Sequence, residues 1–340
     1  MSSRVVITGV GYSVPADIRS NTDPVFDWLH AHPPVGGNPF QGYVSRRVLA
    51  PGQDLEDIMV PAARQALADA SIGVQDIDLL TGFGSLSLLA MPNPLALVHQ
   101  KLGLLPNTPI VPIANDYANF TAGISLATAL VETQRAKNAV VVCGSNWTRH
   151  VDYHTPQCIS AGDGAGAVVV GRSSDPDRFG IVDTETITES ALYGSMYMAG
   201  DERVGARGPD GPSIPGYDHH SFTWPYFHIT DRGKSAFFDF GQRMPVVAVH
   251  ALLARNGVTP ADVTLIAHQA STVLLDYWKD GIGPRCMLDT LQEYADVPTA
   301  NLPITLAAKY ADIDTKYLVL LTLGVEFSVT AMLLSRSTTA

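Results

Sequence analysis

The stretch RQALADASIGVQDIDLLTGFGS at residues 64–85 returns in altered form as HALLARNGVTPADVTLIAHQAS at residues 250–271. Each copy has the pattern of an amphipathic helix, a glycine that ends it, a short polar turn and then an apolar strand. Two further pairs keep the same order, namely ANFTAGISLATAL with ANLPITLAAKY and NAVVVCGSN with KYLVLLTLG. Because partners in all three pairs lie about 180 residues apart, the sequence predicts a chain built from two copies of one unit.

The composition is that of a chain with a large buried core. Hydrophobic residues make up 46% of the 340 residues, whereas charged residues make up 16%. Runs such as AVVVCGS at 139–145 and GAVVVG at 166–171 are apolar on both faces, which is typical of central strands in a mostly parallel sheet. Since these runs alternate with helical patterns, the sequence predicts an α/β architecture in which helices cover the sheets.

Charge and cysteine usage argue against several classes of protein. The formal net charge is −11, which disfavours nucleic acid and anionic membrane surfaces as partners. No run of 18 apolar residues occurs, and the first apolar run, within RVVITGVG at 4–11, is too short for a signal peptide. Cys143, Cys158 and Cys286 show no paired spacing, so we expect a cytoplasmic protein without disulfides.

A segment of different composition, residues 173–234, separates two predicted halves at 1–172 and 235–340. The segment is rich in Gly, Pro, Asp and His. Long connections of this kind often cover a site or an interface, which favours a lid or entrance; a passive surface insertion is the alternative. Its run YDHHSFTWPYFH at 217–228 lacks the spacing of zinc ligands, so no metal is expected.

Six motifs, in this order, resemble those of the thiolase superfamily, and in particular the initiating β-ketoacyl synthases of the ketosynthase III branch. They are ITGVGYSVP at 7–15, YVSRRVLAPGQD at 43–54, AARQALADASIGVQDIDLL at 62–80, LGLLPNTPI at 102–110, GDGAGAVVV at 162–170 and LIAHQAS at 265–271. The resemblance covers nearly the whole chain. It implies a thiolase fold with duplicated αβαβα architecture in five layers, and either a homodimer or a heterodimer with a paralogue. It also implies a substrate presented as acyl-CoA or acyl-carrier protein, so that no cofactor is needed beyond the coenzyme A or phosphopantetheine of the substrate.

The glycines of the GDGAGA run at 162–167 invite comparison with a dinucleotide-binding loop. That loop requires a strand, a turn and then a helix, whereas this run continues directly into the strand VVV. The nucleotide interpretation is therefore rejected. In the family that the chain resembles, these glycines allow close backbone packing beside the active-site helix.

Enzymes of the ketosynthase III branch use a cysteine at a helix N-terminus, a histidine and an asparagine. The turn of the cysteine resembles NDYANFTAG at 115–123, which places Tyr117 at the position of the nucleophile. A phenol with a pKa of about 10 attacks a thioester poorly at neutral pH. A neighbouring base can activate it, or its O–H can donate a hydrogen bond to a developing oxyanion. The alternative is that Tyr117 only fills space and that no acyl-enzyme forms.

The family histidine corresponds to His268 in the HQAS motif, at the carboxyl end of a predicted strand, where sites of α/β proteins are commonly built. The loop of the family asparagine resembles EYADVPTANLP at 293–303, where Asp296 stands in place of the amide. An aspartate beside a histidine raises its basicity and fixes its tautomer. The resemblance therefore favours a general-base pair over a decarboxylating pair, with Asp296 as a cap of the following helix as the alternative.

The remaining candidate residues follow from weaker parts of the resemblance. The oxyanion turn of the family resembles TLGVEFS at 322–328, where Glu326 is either a new acid/base or points away. Ser271 stands where the family has an asparagine at the end of the HQAS motif and is a further candidate. The residues that lie where related enzymes contact coenzyme A are Trp28, Arg46, Arg47 and Trp147.

Taken together, these features predict a divergent ketosynthase III-like acyltransferase of secondary metabolism. It is expected to act on an acyl thioester without an acyl-cysteine, with His268 and Asp296 as a general-base pair and Tyr117 as a hydrogen-bond donor or nucleophile. Acyl transfer, hydrolysis and a condensation of unusual mechanism remain open. The alternative from another class is a catalytically silent subunit that pairs with an active paralogue, which suits the loss of the cysteine and the asparagine.

Overall fold

The computed structural model describes residues 3–33, 40–87, 89, 91–115, 117–200, 205 and 225–337. The strands are β1 Arg4–Ser13, β2 Asp17–Ser20, β3 Ser45–Val48, β4 Leu79–Ser85, β5 Ile110–Pro112, β6 Ala139–Asn146, β7 Asp163–Ser173, β8 Gly180–Thr188, β9 Met196–Gly200, β10 Pro225–Ile229, β11 Val263–Ala267, β12 Cys286–Leu288, β13 Tyr317–Leu323 and β14 Ser328–Ser335. The α-helices are α1 Asp27–Ala31, α2 Leu55–Asp69, α3 Leu95–Leu102, α4 Asn119–Glu132, α5 Asp231–Arg255, α6 Thr272–Ile282, α7 Leu291–Tyr294 and α8 Asn301–Ala308.

Two five-stranded sheets share one topology. The first has the strand order β1-β7-β6-β4-β5, and the second, taken in the same direction, has the order β8-β14-β13-β11-β12. Each sheet joins its first, antiparallel strands to three mutually parallel ones in the same arrangement. The duplication predicted from the repeated stretches is therefore confirmed at the level of strand order and direction.

The second copy begins earlier than the sequence predicted. β8 lies inside the segment 173–234 that the composition assigned to a connection, yet it pairs with β14 and forms the edge of the second sheet. The predicted start at 235 is therefore wrong. The reason is that an edge strand with one exposed face, GIVDTETIT, has the polar composition of a loop. Residues 201–204 and 206–224, with most of the 217–228 run, lie outside the described residues, so the lid interpretation stays a prediction.

Three helical layers enclose the two sheets. α2 and α3 cover the outer face of the first sheet, where Leu55, Leu95 and Val140 share a buried cluster. α4 and α8 fill the space between the sheets, while α5 and α6 cover the outer face of the second sheet. This is the five-layered αβαβα thiolase fold that the resemblance implied. Within the described ranges no helix combines the length and apolar character needed to cross a membrane.

β6 is a central strand in which every residue is buried. Its Cys143 packs among the apolar side chains between the sheets, so the prediction of a core residue is confirmed. Burial raises the pKa of this thiol to about 12. The thiol is therefore protonated throughout the physiological range, since only a lowered pKa would supply a thiolate.

The glycines before and within β7 bring this strand against the end of α7 and the first turn of α8. A Cβ at Gly166 would lie 2.6 Å from the carbonyl carbon of Pro303, and one at Gly162 would lie 2.2 Å from the carbonyl oxygen of Tyr294. No side chain larger than hydrogen fits these approaches without a backbone shift. The close packing that the resemblance implied for the GDGAGA run is therefore present, and it positions the loop that carries Asp296.

Candidate active site

Tyr117 lies in the turn that leads into α4, two residues before the helix begins at Asn119. Its φ of 59° is left-handed, a backbone conformation that bulky residues rarely adopt. The phenol ring stacks on the imidazole of His268, with centroids 5.4 Å apart and ring planes at 13°. Such strained positions persist where the surrounding structure enforces them, and they cluster at functional sites.

His268 directly follows β11, and its backbone N–H donates to the carbonyl oxygen of Leu321 on β13 at 2.8 Å. The residue is 4% exposed. Burial lowers the pKa of its imidazole to about 4, because removal from water disfavours the charged form. The imidazole is therefore neutral at neutral pH.

Asp296 is held by its backbone in a short parallel bridge beside Ala161. Its N–H donates to the carbonyl oxygen of Ser160 at 2.7 Å, and its own carbonyl oxygen accepts from Gly162 N–H at 2.9 Å. The side chain, 13% exposed, brings Oδ1 to 3.8 Å from Nε2 of His268. The two groups are neighbours but are not hydrogen-bonded, because this distance exceeds the usual limit.

The carboxyl group of Asp296 has an unusual acidity. Burial raises its pKa to about 7, and a hydrogen bond from Asn301 only partly offsets the effect of burial. Its role as a cap of the following helix does not hold, since the N-cap of α8 is Ala300 and no side chain caps that end. Asp296 thus stands beside His268 as a group that gains and loses a proton near neutrality.

Asn301, the first residue of α8, is part of the site and was missed by the sequence reasoning. Its Nδ2 donates to Nδ1 of His268 at 3.1 Å and to Oδ1 of Asp296 at 2.7 Å. Its Oδ1 accepts from the backbone N–H of Val297 at 2.8 Å. The amide therefore bridges the two groups that the sequence expected to contact each other directly.

A signal for Asn301 was present in the repeat. The duplicated stretches ANFTAG and ANLPIT place Asn119 and Asn301 at equivalent positions. In the structure the Oδ1 of Asn119 accepts from Asn115 N–H at 2.7 Å, which is the same four-residue contact. An asparagine kept at both helix starts indicated a shared structural need, and in the second copy this residue also reaches the site.

Tyr117, His268 and Asp296 line a cavity of 280 Å³. The rest of the wall is largely apolar and comes mainly from Trp147, Met196, Phe227, Ile229, Phe237 and Leu323. Of the predicted coenzyme A contacts, Trp147 thus reaches the cavity. Its buried indole Nε1 has no hydrogen-bond partner among the described residues, which leaves a donor beside the cavity.

The remaining candidates are not among the residues that line this cavity. Ser271 is the N-cap of α6, where its Oγ accepts from Leu274 N–H at 3.3 Å. Glu326 accepts a hydrogen bond from the Ser328 hydroxyl through Oε1, although its neighbours in the turn reach the cavity. An acid/base role for Ser271 or Glu326 gains no support from this geometry.

The other predicted coenzyme A contacts have partners within the protein. The ring of Trp28 stacks on His32 and on His154, with centroids 4.4 and 4.6 Å away. Nη1 of Arg47 donates to the carbonyl oxygens of Pro15 and Ala16, each at 3.3 Å. Arg46 is wholly buried, and its Nη2 donates to the carbonyl oxygen of Ile159 at 2.8 Å. A substrate role for Trp28 and Arg47 stays a prediction, whereas burial gives Arg46 a structural role.

Fold and site together define a thiolase-fold protein with a polar cluster in the wall of a largely apolar cavity. Residues 113–190, which include the Tyr117 turn, match the family model described as 3-oxoacyl-(acyl-carrier-protein) synthase III. The β-ketoacyl-(acyl-carrier-protein) synthase III of Neisseria gonorrhoeae is 25% identical to this chain over 312 residues, which are 89% of each protein.

Solved structures agree with this comparison. The 3-oxoacyl-(acyl carrier protein) synthase III of Pseudomonas aeruginosa superposes with a TM-score of 0.80 at 20% identity and covers 99% of both chains. A priming β-ketosynthase from a polyketide biosynthetic pathway gives a TM-score of 0.81 at 22% identity, over 98% of this chain and 97% of its own. The chain is thus similar to synthases of the ketosynthase III type over most of its length, and it shares their fold.

Proposed function

We propose that this protein is a ketosynthase III-like acyltransferase of secondary metabolism that processes an acyl thioester without an acyl-cysteine. The observation that carries the proposal is that Tyr117, His268 and Asp296 lie side by side in the wall of a largely apolar cavity. The apolar wall suits the acyl chain, and the polar cluster suits the thioester carbonyl, where charge develops during acyl transfer.

The cysteines support chemistry without a thiolate. None of the three lines the cavity, and burial raises the pKa values of the Cys143 and Cys158 thiols to about 12. At the helix start where the related synthases carry their nucleophile, this chain has Tyr117. We therefore propose that the acyl group passes directly from the thioester to its acceptor or to water.

The proposed substrate is acyl-CoA or acyl-carrier protein. The relatives are named for the acyl-carrier protein, and the pantetheine arm common to both carriers has amides that can accept a hydrogen bond. The unpartnered indole N–H of Trp147 beside the cavity is suited to such an acceptor.

Exposure of the purified protein to a panel of acyl-CoA thioesters tests the absence of a covalent intermediate. Intact-protein mass spectrometry is expected to show no acyl adduct, while release of free coenzyme A continues. Tyr117→Phe is expected to lower kcat by about 10- to 100-fold with little change in KM, because the phenol donates a hydrogen bond mainly in the transition state. Cys143→Ala, at a core residue that does not line the cavity, is the control and is expected to keep kcat. An adduct on any cysteine would overturn the proposal, and an adduct on Tyr117 would make the phenol the nucleophile.

The edge of the first sheet supports an assembly of two copies. β5 pairs with β4 on one side, and apolar residues on β5, on the contacting α3 and between the two are 37–45% exposed, namely Val111, Leu97 and Leu105. An uncovered edge strand with apolar neighbours favours pairing with a second chain. We therefore propose a homodimer formed along this edge.

Light scattering on the purified chain tests this dimer. The wild-type protein is expected to have twice the mass of the chain, and Leu97→Glu is expected to shift it toward the monomer, since the charge would be buried at the interface. Val273→Glu, on the exposed side of α6, is the control and should keep the dimer mass. A wild-type monomer that gains turnover only with a paralogue would instead favour the silent partner subunit.

A further inference from the structure

The side-chain amide of Asn301 has one possible orientation in its surroundings. The backbone N–H of Val297 is a donor, and the atom of Asn301 that faces it at 2.8 Å must therefore be the oxygen. A flipped amide would place its NH₂ group against that N–H. The Nδ2 of Asn301 consequently faces Nδ1 of His268 at 3.1 Å and Oδ1 of Asp296 at 2.7 Å.

This orientation decides where the imidazole carries its proton. Nδ1 of His268 receives an N–H from Asn301, so Nδ1 must be the unprotonated nitrogen. In neutral imidazole the other nitrogen then bears the hydrogen. Nε2–H is therefore a donor, with Oδ1 of Asp296 3.8 Å from Nε2, and both residues line the cavity.

We propose that Asn301 is a positioning residue that holds neutral His268 as the Nε2–H tautomer. His268 then donates a hydrogen bond to the thioester oxygen, while Asp296 takes the proton of the attacking acceptor or water and returns it to the thiolate of the carrier as the carbon–sulfur bond breaks. The catalytic half of this inference rests on the proposed function, whereas the tautomer does not. It differs from a hydrolytic triad, in which the aspartate binds Nδ1–H and the histidine is the base. Here the amide occupies the Nδ1 side.

The first copy of the fold shows that this bridge is more than a contact that closes the turn before a helix. Asn119 makes the same backbone contact at the start of α4, but its Nδ2 has no hydrogen-bond partner among the described residues. The turn contact therefore uses the amide oxygen alone in both copies. Among the described residues, the Asn301 amide alone of the two has hydrogen-bond acceptors for its Nδ2 group, and those acceptors are His268 and Asp296.

The decisive variant is Asn301→Asp. The carboxylate keeps the acceptor for Val297 N–H, but it presents an acceptor in place of the donor toward Nδ1 of His268. The imidazole should then place its hydrogen on Nδ1, so the tautomer should switch. Asn119→Asp is the matched control, because it makes the same change at the equivalent position away from the imidazole.

The measurement is two-bond ¹H–¹⁵N correlation NMR on ligand-free protein labelled at histidine, with the His268 signals assigned by their loss in His268→Ala. The wild type and Asn119→Asp are expected to show an unprotonated Nδ1 and a protonated Nε2, and Asn301→Asp the reverse. If Asn301→Asp does not fold, Asn301→Ala, which removes the donor, is expected to lose the single Nε2–H form. A protonated Nδ1 in the wild type, or a folded Asn301 variant that keeps pure Nε2–H, overturns the inference.

Turnover separates this inference from the proposed function. If the tautomer switches in Asn301→Asp and kcat falls while KM changes little, both proposals stand. If the tautomer switches and no acyl thioester is consumed even by the wild type, the positioning role stands and the proposed function fails. A switched tautomer with unchanged kcat would overturn the assignment of Nε2–H as the catalytic donor.

Discussion

His268→Ala is expected to lower turnover of an acyl thioester by about 10²- to 10⁴-fold, the range typical for loss of a positioned donor or acid–base group. The imidazole lies in the wall of the cavity, stacked on Tyr117 and bridged to Asp296 by Asn301. Its removal takes away the proposed Nε2–H donor to the thioester oxygen and the ring against which the phenol packs. KM should change less than kcat, because the donor matters most where charge develops.

The control for this variant is His250→Ala. His250 lies on α5 and contacts the carbonyl oxygen of Gly281 at 2.9 Å, away from the cavity. Its turnover should match that of the wild type. Coenzyme A release by His268→Ala within a factor of about 3 of the wild type would contradict a catalytic imidazole, since such a change is under 1 kcal/mol in barrier height.

Asp296→Asn is expected to lower kcat/KM by about 100-fold and to abolish its rise through neutral pH. The pKa of this carboxyl is raised to about 7, so the proton-accepting carboxylate forms only as the pH passes that value. In the wild type kcat/KM should therefore increase from pH 6 to pH 8. The amide cannot accept the proton, so the profile of the variant should be flat over this range.

Four other ionisable groups lie around Asp296, and each must be considered as the source of the rise in kcat/KM near pH 7. They are Tyr117 before α4, His268 after β11, Lys234 on α5 and Tyr43, whose hydroxyl donates to the carbonyl oxygen of Ala270. Burial lowers the pKa of His268 to about 4, and burial raises that of Tyr43 above the range assayed. A rise near pH 7 that persists in Asp296→Asn would transfer the titration to another group.

The same substitution is expected to change stability with a definite sign. The folded pKa of Asp296, about 7, lies above its usual value of 3.8, so the folded state holds the proton more tightly than the unfolded state. Wild-type stability should therefore fall, by up to about 1.4 kcal/mol per pH unit, between the two values. Asp296→Asn has no such proton to lose. The free energy of unfolding of the variant, relative to that of the wild type, should therefore be most favourable above pH 7, and this pH-dependent gain should vanish near pH 4.

Urea unfolding at pH 5 and pH 8 measures this difference, and the titration of His268, common to both proteins, cancels from it. Asp289→Asn is the control, because it makes the same change at an exposed residue that does not line the cavity. An equal effect of Asp296→Asn at both pH values would contradict the raised pKa.

The architecture was predictable from local patterns that can be recognised in the sequence without knowledge of the tertiary contacts. The repeated helix–turn–strand stretches predicted two equal units, and the shared strand order of the two sheets confirmed them. β8 was missed because its half-exposed residues resemble a loop until a neighbouring strand supplies hydrogen bonds. Edge strands carry a weaker sequence signal than central ones, whose apolar runs are continuous.

The candidate site was predictable in part. The turn at Tyr117, the strand end at His268 and the loop at Asp296 each lay in a recognisable motif, and the structure brings all three to one cavity. The hydrogen bonds that link these residues, and hence the chemical role of each, were not predictable. A direct contact between His268 and Asp296 was expected, whereas an amide from the start of α8 stands between their hydrogen-bonding atoms.

The sequence by itself determined the duplicated α/β fold, the residue types available for chemistry and the absence of a cysteine from the NDYANFTAG turn. Periodicity and repetition depend only on the order of residues along the chain and not on their contacts in the folded protein. Only the tertiary structure decided that Asn301 joins His268 to Asp296, that Ser271 caps a helix and that Cys143 is buried as a protonated thiol. Hydrogen-bond direction and pKa depend on which atoms of distant segments meet and on how much water they lose, and folding alone brings those segments together.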